Sequence, residues 1–101
     1  MTLTEIRDRT RGHWWDQDSM RFFGTRASEI VYTGKGGTFF VTSERPPSGK
    51  RAFSIRQFVP DPDDLGGKGT IETVGVFCAY TRGQAHILAS RYAEGGGHVP
   101  E

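Results

Sequence analysis

TFFVTS (residues 38–43), RAFSIRQFV (51–59) and TIETVGVF (70–77) are the runs that decide the fold. Each is rich in β-branched and aromatic residues and is flanked by Gly, Pro or charged residues, the pattern of strands ended by turns. Side chains alternate across a strand, so Phe39 and Val41 point one way and Phe40 the other. Phe53 and Ile55 share one face of the next run, while Ala52, Ser54, Arg56 and Phe58 share the opposite face. A further run, Glu29 to Thr33, precedes these and is joined to TFFVTS by Gly34-Lys35-Gly36-Gly37. The loops 45–49 and 60–67 are Pro- and Gly-rich and short, which predicts antiparallel pairing in a meander of three or four strands.

Helices are expected on either side of this sheet. Thr81 and Gln84 have the spacing of a capping box, and Ala85, Leu88, Ala89 and Tyr92 follow on one helical face. Small alanines there let a helix lie close to a sheet. Gly95-Gly96-Gly97 ends the helix and leaves 95–101 as a flexible tail. At the other end, Thr2 with Glu5 forms a capping box for a helix over 2–13, with Leu3 and Ile6 on its apolar side. Asp16 or Asp18 caps a further short helical turn that Gly24 stops, placing Trp15, Met20 and Phe23 at one edge of the core. The reading is therefore one α+β domain over 1–94: a helical segment 1–24, an antiparallel sheet 29–77 and a helix 81–94. The sheet face away from the last helix is either covered by the N-terminal segment or open to a partner.

Composition narrows the function. The chain has 101 residues, enough for one core, with 13 basic and 12 acidic residues and a net charge of +1. That balance gives no whole-molecule field to steer a polyanion. Arg nevertheless outnumbers Lys ten to three, and Arg suits bidentate contact with phosphate, carboxylate or guanine. The single cysteine, Cys78, excludes an internal disulfide and a Cys-based zinc cage, and it reads as a small buried hydrophobe. No run reaches the ~18 apolar residues of a membrane span. MTLTEIRDRTRG lacks the apolar run of a secretory signal, so a cytoplasmic location is expected.

Chemical motifs are scarce. Lys35, Lys50 and Lys68 are each followed by Gly or Arg, so none completes a phosphate-binding P-loop, and the glycines around them read as hairpin turns needing positive φ. Asp61, Asp63, Gly66 and Glu72 have EF-hand spacing, but Leu65 stands where an oxygen ligand is needed and strands flank the loop. His13, His86 and His98 lack the spacing of a zinc helix. No catalytic residue, metal site or cofactor is expected. Basic residues interleaved with aromatics are the feature that stands out. Arg45, Lys50, Arg51 and Arg56 lie on or beside the second and third strands near Phe40 and Phe58, a candidate phosphate-binding and stacking platform. Trp14, Phe40 and Phe58 are candidate anchors for a protein partner.

Two resemblances bear on these residues. Gly37 to Glu44, Arg51-Ala-Phe-Ser-Ile-Arg56, Ile71 to Phe77 and Tyr80, with WDQDSMRFF before them, resemble small uncharacterised proteins of tailed phages and prophages of high-GC bacteria over residues 15–93. That likeness implies a source without an assigned activity. Val74-Gly75-Val76-Phe77 and the helix Gln84 to Ala93 also look like the AP2 and integrase amino-terminal type of DNA-binding domain, in which a three-stranded sheet backed by one helix reads the major groove. It implies that Arg45, Arg51 and Arg56 lie on or near reading strands. The expected function is a small non-enzymatic phage-type accessory protein that binds a host or phage protein. The alternative is a sheet-type DNA- or RNA-binding domain.

Overall fold

The computed structural model describes residues 1–10, 26–45, 49–63 and 67–95. The expected helical turn around Trp15 to Phe23, Trp14 and the end of the tail lie outside them. Helix α1 is Leu3–Arg9. Its start is the expected capping box: Thr2 Oγ1 accepts from the Glu5 N–H at 3.2 Å, and Glu5 Oε1 accepts from the Thr2 N–H at 3.2 Å. Strands β1 (Arg26–Gly34), β2 (Gly37–Glu44), β3 (Ala52–Pro60) and β4 (Gly69–Ala79) follow, and helix α2 is Arg82–Ala93. The sheet order is β1-β2-β3-β4 with every neighbour antiparallel, so the described chain is an α+β meander. No helix among the described residues is long and apolar enough to cross a membrane.

The pleat sorts the core into two layers. On the α2 side, Phe39, Val41, Ile55 and Ala79 pack with Ala85, Ala89 and Ala93. These three alanines recur every four residues, so their stripe holds the α2 backbone close to the sheet. Tyr32, Phe53, Val74, Leu88 and Tyr92 close the margins of this layer. On the other side, Phe40, Phe58 and Ile71 pack against Leu3 and Ile6 of α1. The N-terminal helix thus covers that part of the second face.

The two inner strands pair without a slip from Thr38↔Phe58 to Glu44↔Ala52. Both outer strands bulge. In β1 the register shifts between Ala27 and Val31, and in β4 it shifts on either side of Ile55. These irregularities flank the central pair Val41↔Ile55, and bulges there twist the outer strands and re-aim their side chains. One bulge exposes Cys78, correcting the expectation of a buried hydrophobe. Partial desolvation of its thiol raises the pKa above the usual range, which works against a nucleophilic role.

The β1–β2 turn packs against the end of α2, where the Gly36 N–H donates to the Ala93 carbonyl at 2.9 Å. A Cβ on Gly36 would run into the Tyr92 carbonyl oxygen and stand 2.8 Å from the Gly95 nitrogen. Close approach therefore explains this glycine, whereas Gly37 at φ +126° and Gly67 at φ +86° adopt the expected positive φ. Two substitutions test the account. Phe40 has no exposed surface, and Phe40→Ala should lower unfolding stability by about 3–5 kcal/mol in urea titrations. Gly36→Ala should shift the urea midpoint down, while Gly83→Ala, where a Cβ meets nothing within 4 Å, should not lower it.

Candidate functional site

Sequence reasoning put Arg45, Lys50, Arg51 and Arg56 on one platform with Phe40 and Phe58. The structure separates them. Phe40 and Phe58 are 0% and 3% exposed and belong to the layer under α1, so neither is a surface anchor. Arg56 is 6% exposed and lies on that same face. It pairs with Phe40 across the strands, yet its side chain runs along the sheet to Thr42 and Glu44. Arg56 Nε donates to Thr42 Oγ1 at 2.9 Å, Nη2 donates to Glu44 Oε1 at 2.7 Å, and Nη1 donates to Thr73 Oγ1. Glu44, itself 3% exposed, also accepts from Thr42 at 2.7 Å and from Ser54 at 3.3 Å. The charges cancel and the hydroxyls occupy the remaining positions, so this cluster is an internal brace.

The other basic candidates gather at the β2–β3 hairpin end. Arg45 and Lys50 are exposed there, with Lys50 Nζ 5.5 Å from the Tyr80 ring centroid. Arg51 is half-buried and donates to Ser43 Oγ at 2.8 Å. It lies five residues from Arg56, and the pleat sends residues an odd number apart to opposite faces. Arg51 therefore lies on the α2 side. There it lines a cleft of about 330 Å³ together with Arg26, Ser28, Ser43, Arg82 and His86.

Each wall of this cleft has a local cause. Arg26 pairs with Ser43 at the near end of β1, just before the bulge. The bulge carries Ser28 away from the ladder and opens the space over Val41 and Ser43. Arg82 opens α2 behind the Thr81 cap, whose Oγ1 accepts from the Gln84 N–H at 3.2 Å. His86 stands one turn further on, the same side of the helix as Arg82. The first turn of α2 contains no acidic residue, so Arg82 adds its charge to the positive end of the helix dipole. Among the described residues, no carboxylate lines the cleft.

His86 is held from one side. Its Nδ1 is 2.9 Å from Tyr32 Oη, while its buried Nε2 has no hydrogen-bond partner among the described residues. Burial, and secondarily the Arg82 guanidinium, pushes the imidazole below its ordinary pKa. The cleft thus combines fixed positive charge, two hydroxyls and an imidazole nitrogen with unused hydrogen-bonding capacity, a set suited to holding an anionic group. Sequence reasoning reached Arg51 but missed Arg26, Arg82 and His86. The i, i+4 spacing of Arg82 and His86 was visible; the approach of β1 to the α2 amino terminus was not.

The internal brace is open to test. Glu44→Gln leaves a buried guanidinium uncompensated and should lower stability by about 3–5 kcal/mol in urea titrations. Glu44→Leu combined with Arg56→Met should cost less than either single change, a coupling that a double-mutant cycle reads directly.

No curated protein and no solved structure matches the chain. A family model does match, over residues 2–90, which span both described helices and all four strands up to Ser90. The chain belongs to that family, DUF7447, a family of unknown function.

Proposed function

We propose that the chain is a small non-enzymatic accessory protein that binds an acidic surface of a host or phage protein in the bacterial cytoplasm. The hairpin end of its sheet makes the contact. One observation carries this reading: in a chain of net charge +1, Arg26, Arg45, Lys50, Arg51 and Arg82 collect at a single end. Glu44, which sits among them in the chain, is already neutralised by Arg56 inside the sheet. Glu29, on the β1 bulge, is an exposed acidic residue among the described residues. A concentrated patch on a near-neutral molecule orients an encounter and suppresses wrong partners without drawing the protein to every polyanion. The likeness to small proteins of tailed phages supports the accessory role.

A nucleic-acid platform on the face opposite α2 has less support. Phe40 and Phe58 are packed under α1 there, and Arg56 is engaged by Glu44. Phosphodiester binding by the basic hairpin end is the alternative that the test separates.

The test is affinity capture from bacterial lysate, with and without nuclease, using the wild-type chain and the Arg26→Ala/Arg82→Ala variant. One stoichiometric protein partner should survive nuclease, and the variant should hold it about tenfold more weakly, with affinity falling as salt rises. Capture that disappears with nuclease would transfer the reading to nucleic acid. Capture indifferent to both arginines would remove the basic end from the interface.

A further inference from the structure

We infer that the Tyr32–His86 hydrogen bond is a pH-sensitive latch between β1 and the amino-terminal half of α2, closed while the imidazole is neutral and released when the ring takes a second proton. The device belongs to the fold itself and holds whether or not this end of the sheet meets a partner.

The position of the bond is the first support. The buried residues of this half of α2 are Ala85 and Ala89, and a methyl group offers little apolar area. Tyr32 Oη and His86 Nδ1, 2.9 Å apart, add a directional bond to that contact, with the two rings tilted against each other at a centroid distance of 5.8 Å. The bond joins residues 54 positions apart in the chain, so it ties the edge strand to the helix directly.

The protonation states are the second support. A neutral imidazole closes the latch in either tautomer. With the proton on Nδ1, that N–H donates to Tyr32 Oη and Nε2 is a bare acceptor. With the proton on Nε2, the Tyr32 hydroxyl turns and donates to Nδ1. The imidazolium has one arrangement: Nδ1–H donates to Tyr32 Oη, and Nε2–H is held at a buried position with no partner among the described residues. From the first tautomer the second proton arrives at that buried nitrogen. From the second it arrives at Nδ1, and the phenol must turn back to accept. Both routes end in the same cation, its charge held away from water. The cation makes the stronger bond to Tyr32, yet desolvation, and secondarily Arg82, outweigh that gain and hold the pKa below the ordinary 6.5.

The charged groups that face the ring are Arg82, one turn earlier on α2, and Arg26 of β1 and Arg51 of β3, which line the same cleft. Arg82 opposes protonation of the imidazole. The β2 residues of that lining, Val41, Thr42 and Ser43, do not titrate. A ring released from Tyr32 takes its second proton near 6.5, and the docked ring takes it at lower pH. The stabilisation from this contact is therefore complete above 6.5 and declines as pH falls through the docked value. The adjoining cleft of about 330 Å³ gives the ring room to turn away from Tyr32 and hydrate its charge while the sheet stays paired.

The test combines native-state hydrogen exchange of the full chain with an NMR titration of the His86 ring. The ring should titrate at lower pH in the folded chain than in the urea-unfolded chain. Between about pH 7.5 and about pH 5.5 carboxylates stay ionised. Over that range the opening constants of α2 amides 85–89, corrected for the intrinsic effect of pH on exchange, should rise several-fold while those of β2 and β3 stay level. The rise should vanish in His86→Gln, a variant that keeps His13 and His98. It should shrink in Arg82→Gln, which changes an exposed residue and leaves the packed ring untouched.

A ring that titrates at or above its unfolded value overturns the latch. Acid opening of equal size in His86→Gln does the same, and so, where that variant fails to fold, does an undiminished opening in Arg82→Gln. An opening shared equally by β2 and β3 assigns the acid sensitivity to the whole chain and also overturns it.

Discussion

The pairing of β2 with β3 carries the rest of the molecule. From Thr38↔Phe58 to Glu44↔Ala52 each residue meets its partner without a slip, and the alternation of the pleat then assigns every side chain to a layer. Phe39, Val41 and Ile55 go to the alanine stripe of α2. Phe40 and Phe58 go to α1, and Thr42, Glu44, Ser54 and Arg56 lie on that same face. A shift of one residue would put Glu44 and Arg56 against the alanines and the two phenylalanines on the wrong side. Register here decides both apolar layers and the ion pair together.

The ion pair adds specificity to that register. Arg56 reaches Glu44 along the sheet, passing Thr42 and meeting Thr73 on β4. Its hydrogen bonds therefore tie β2, β3 and β4 together. A buried pair of this kind contributes little net stability relative to apolar residues of the same size, but it penalises any arrangement that breaks it. Hydrophobic packing supplies the driving force, and the polar cluster makes slipped pairings unfavourable.

The outer strands answer to different demands. Both bulge beside the central pair Val41↔Ile55, and each bulge changes what the surface offers. In β4 the bulge exposes Cys78 and leaves Val76 66% exposed. In β1 it opens the cleft where Arg26 on the strand, Arg51 from the hairpin and Arg82 and His86 on α2 come together. The inner strands provide a rigid frame, and the irregular strand beside them shapes the site. Loops and bulges on a regular scaffold commonly hold function for this reason.

Local signals in the sequence determined the elements. Alternating aromatic and β-branched residues marked β2, β3 and β4, the spacing of Thr2 to Glu5 and of Thr81 to Gln84 marked the helix starts, and Gly- and Pro-rich loops required a meander. The same parity also held the information that Arg51 and Arg56 face opposite ways. Tertiary structure decided which arginines matter. Arg56 and Arg51 look equivalent along the chain, yet a glutamate on the adjacent strand takes one into the interior while the other lines a cleft with Arg26 of β1 and Arg82 and His86 of α2. Those neighbours come from residues 26, 44, 82 and 86, and distances in sequence carry no record of which of them the folded chain brings together.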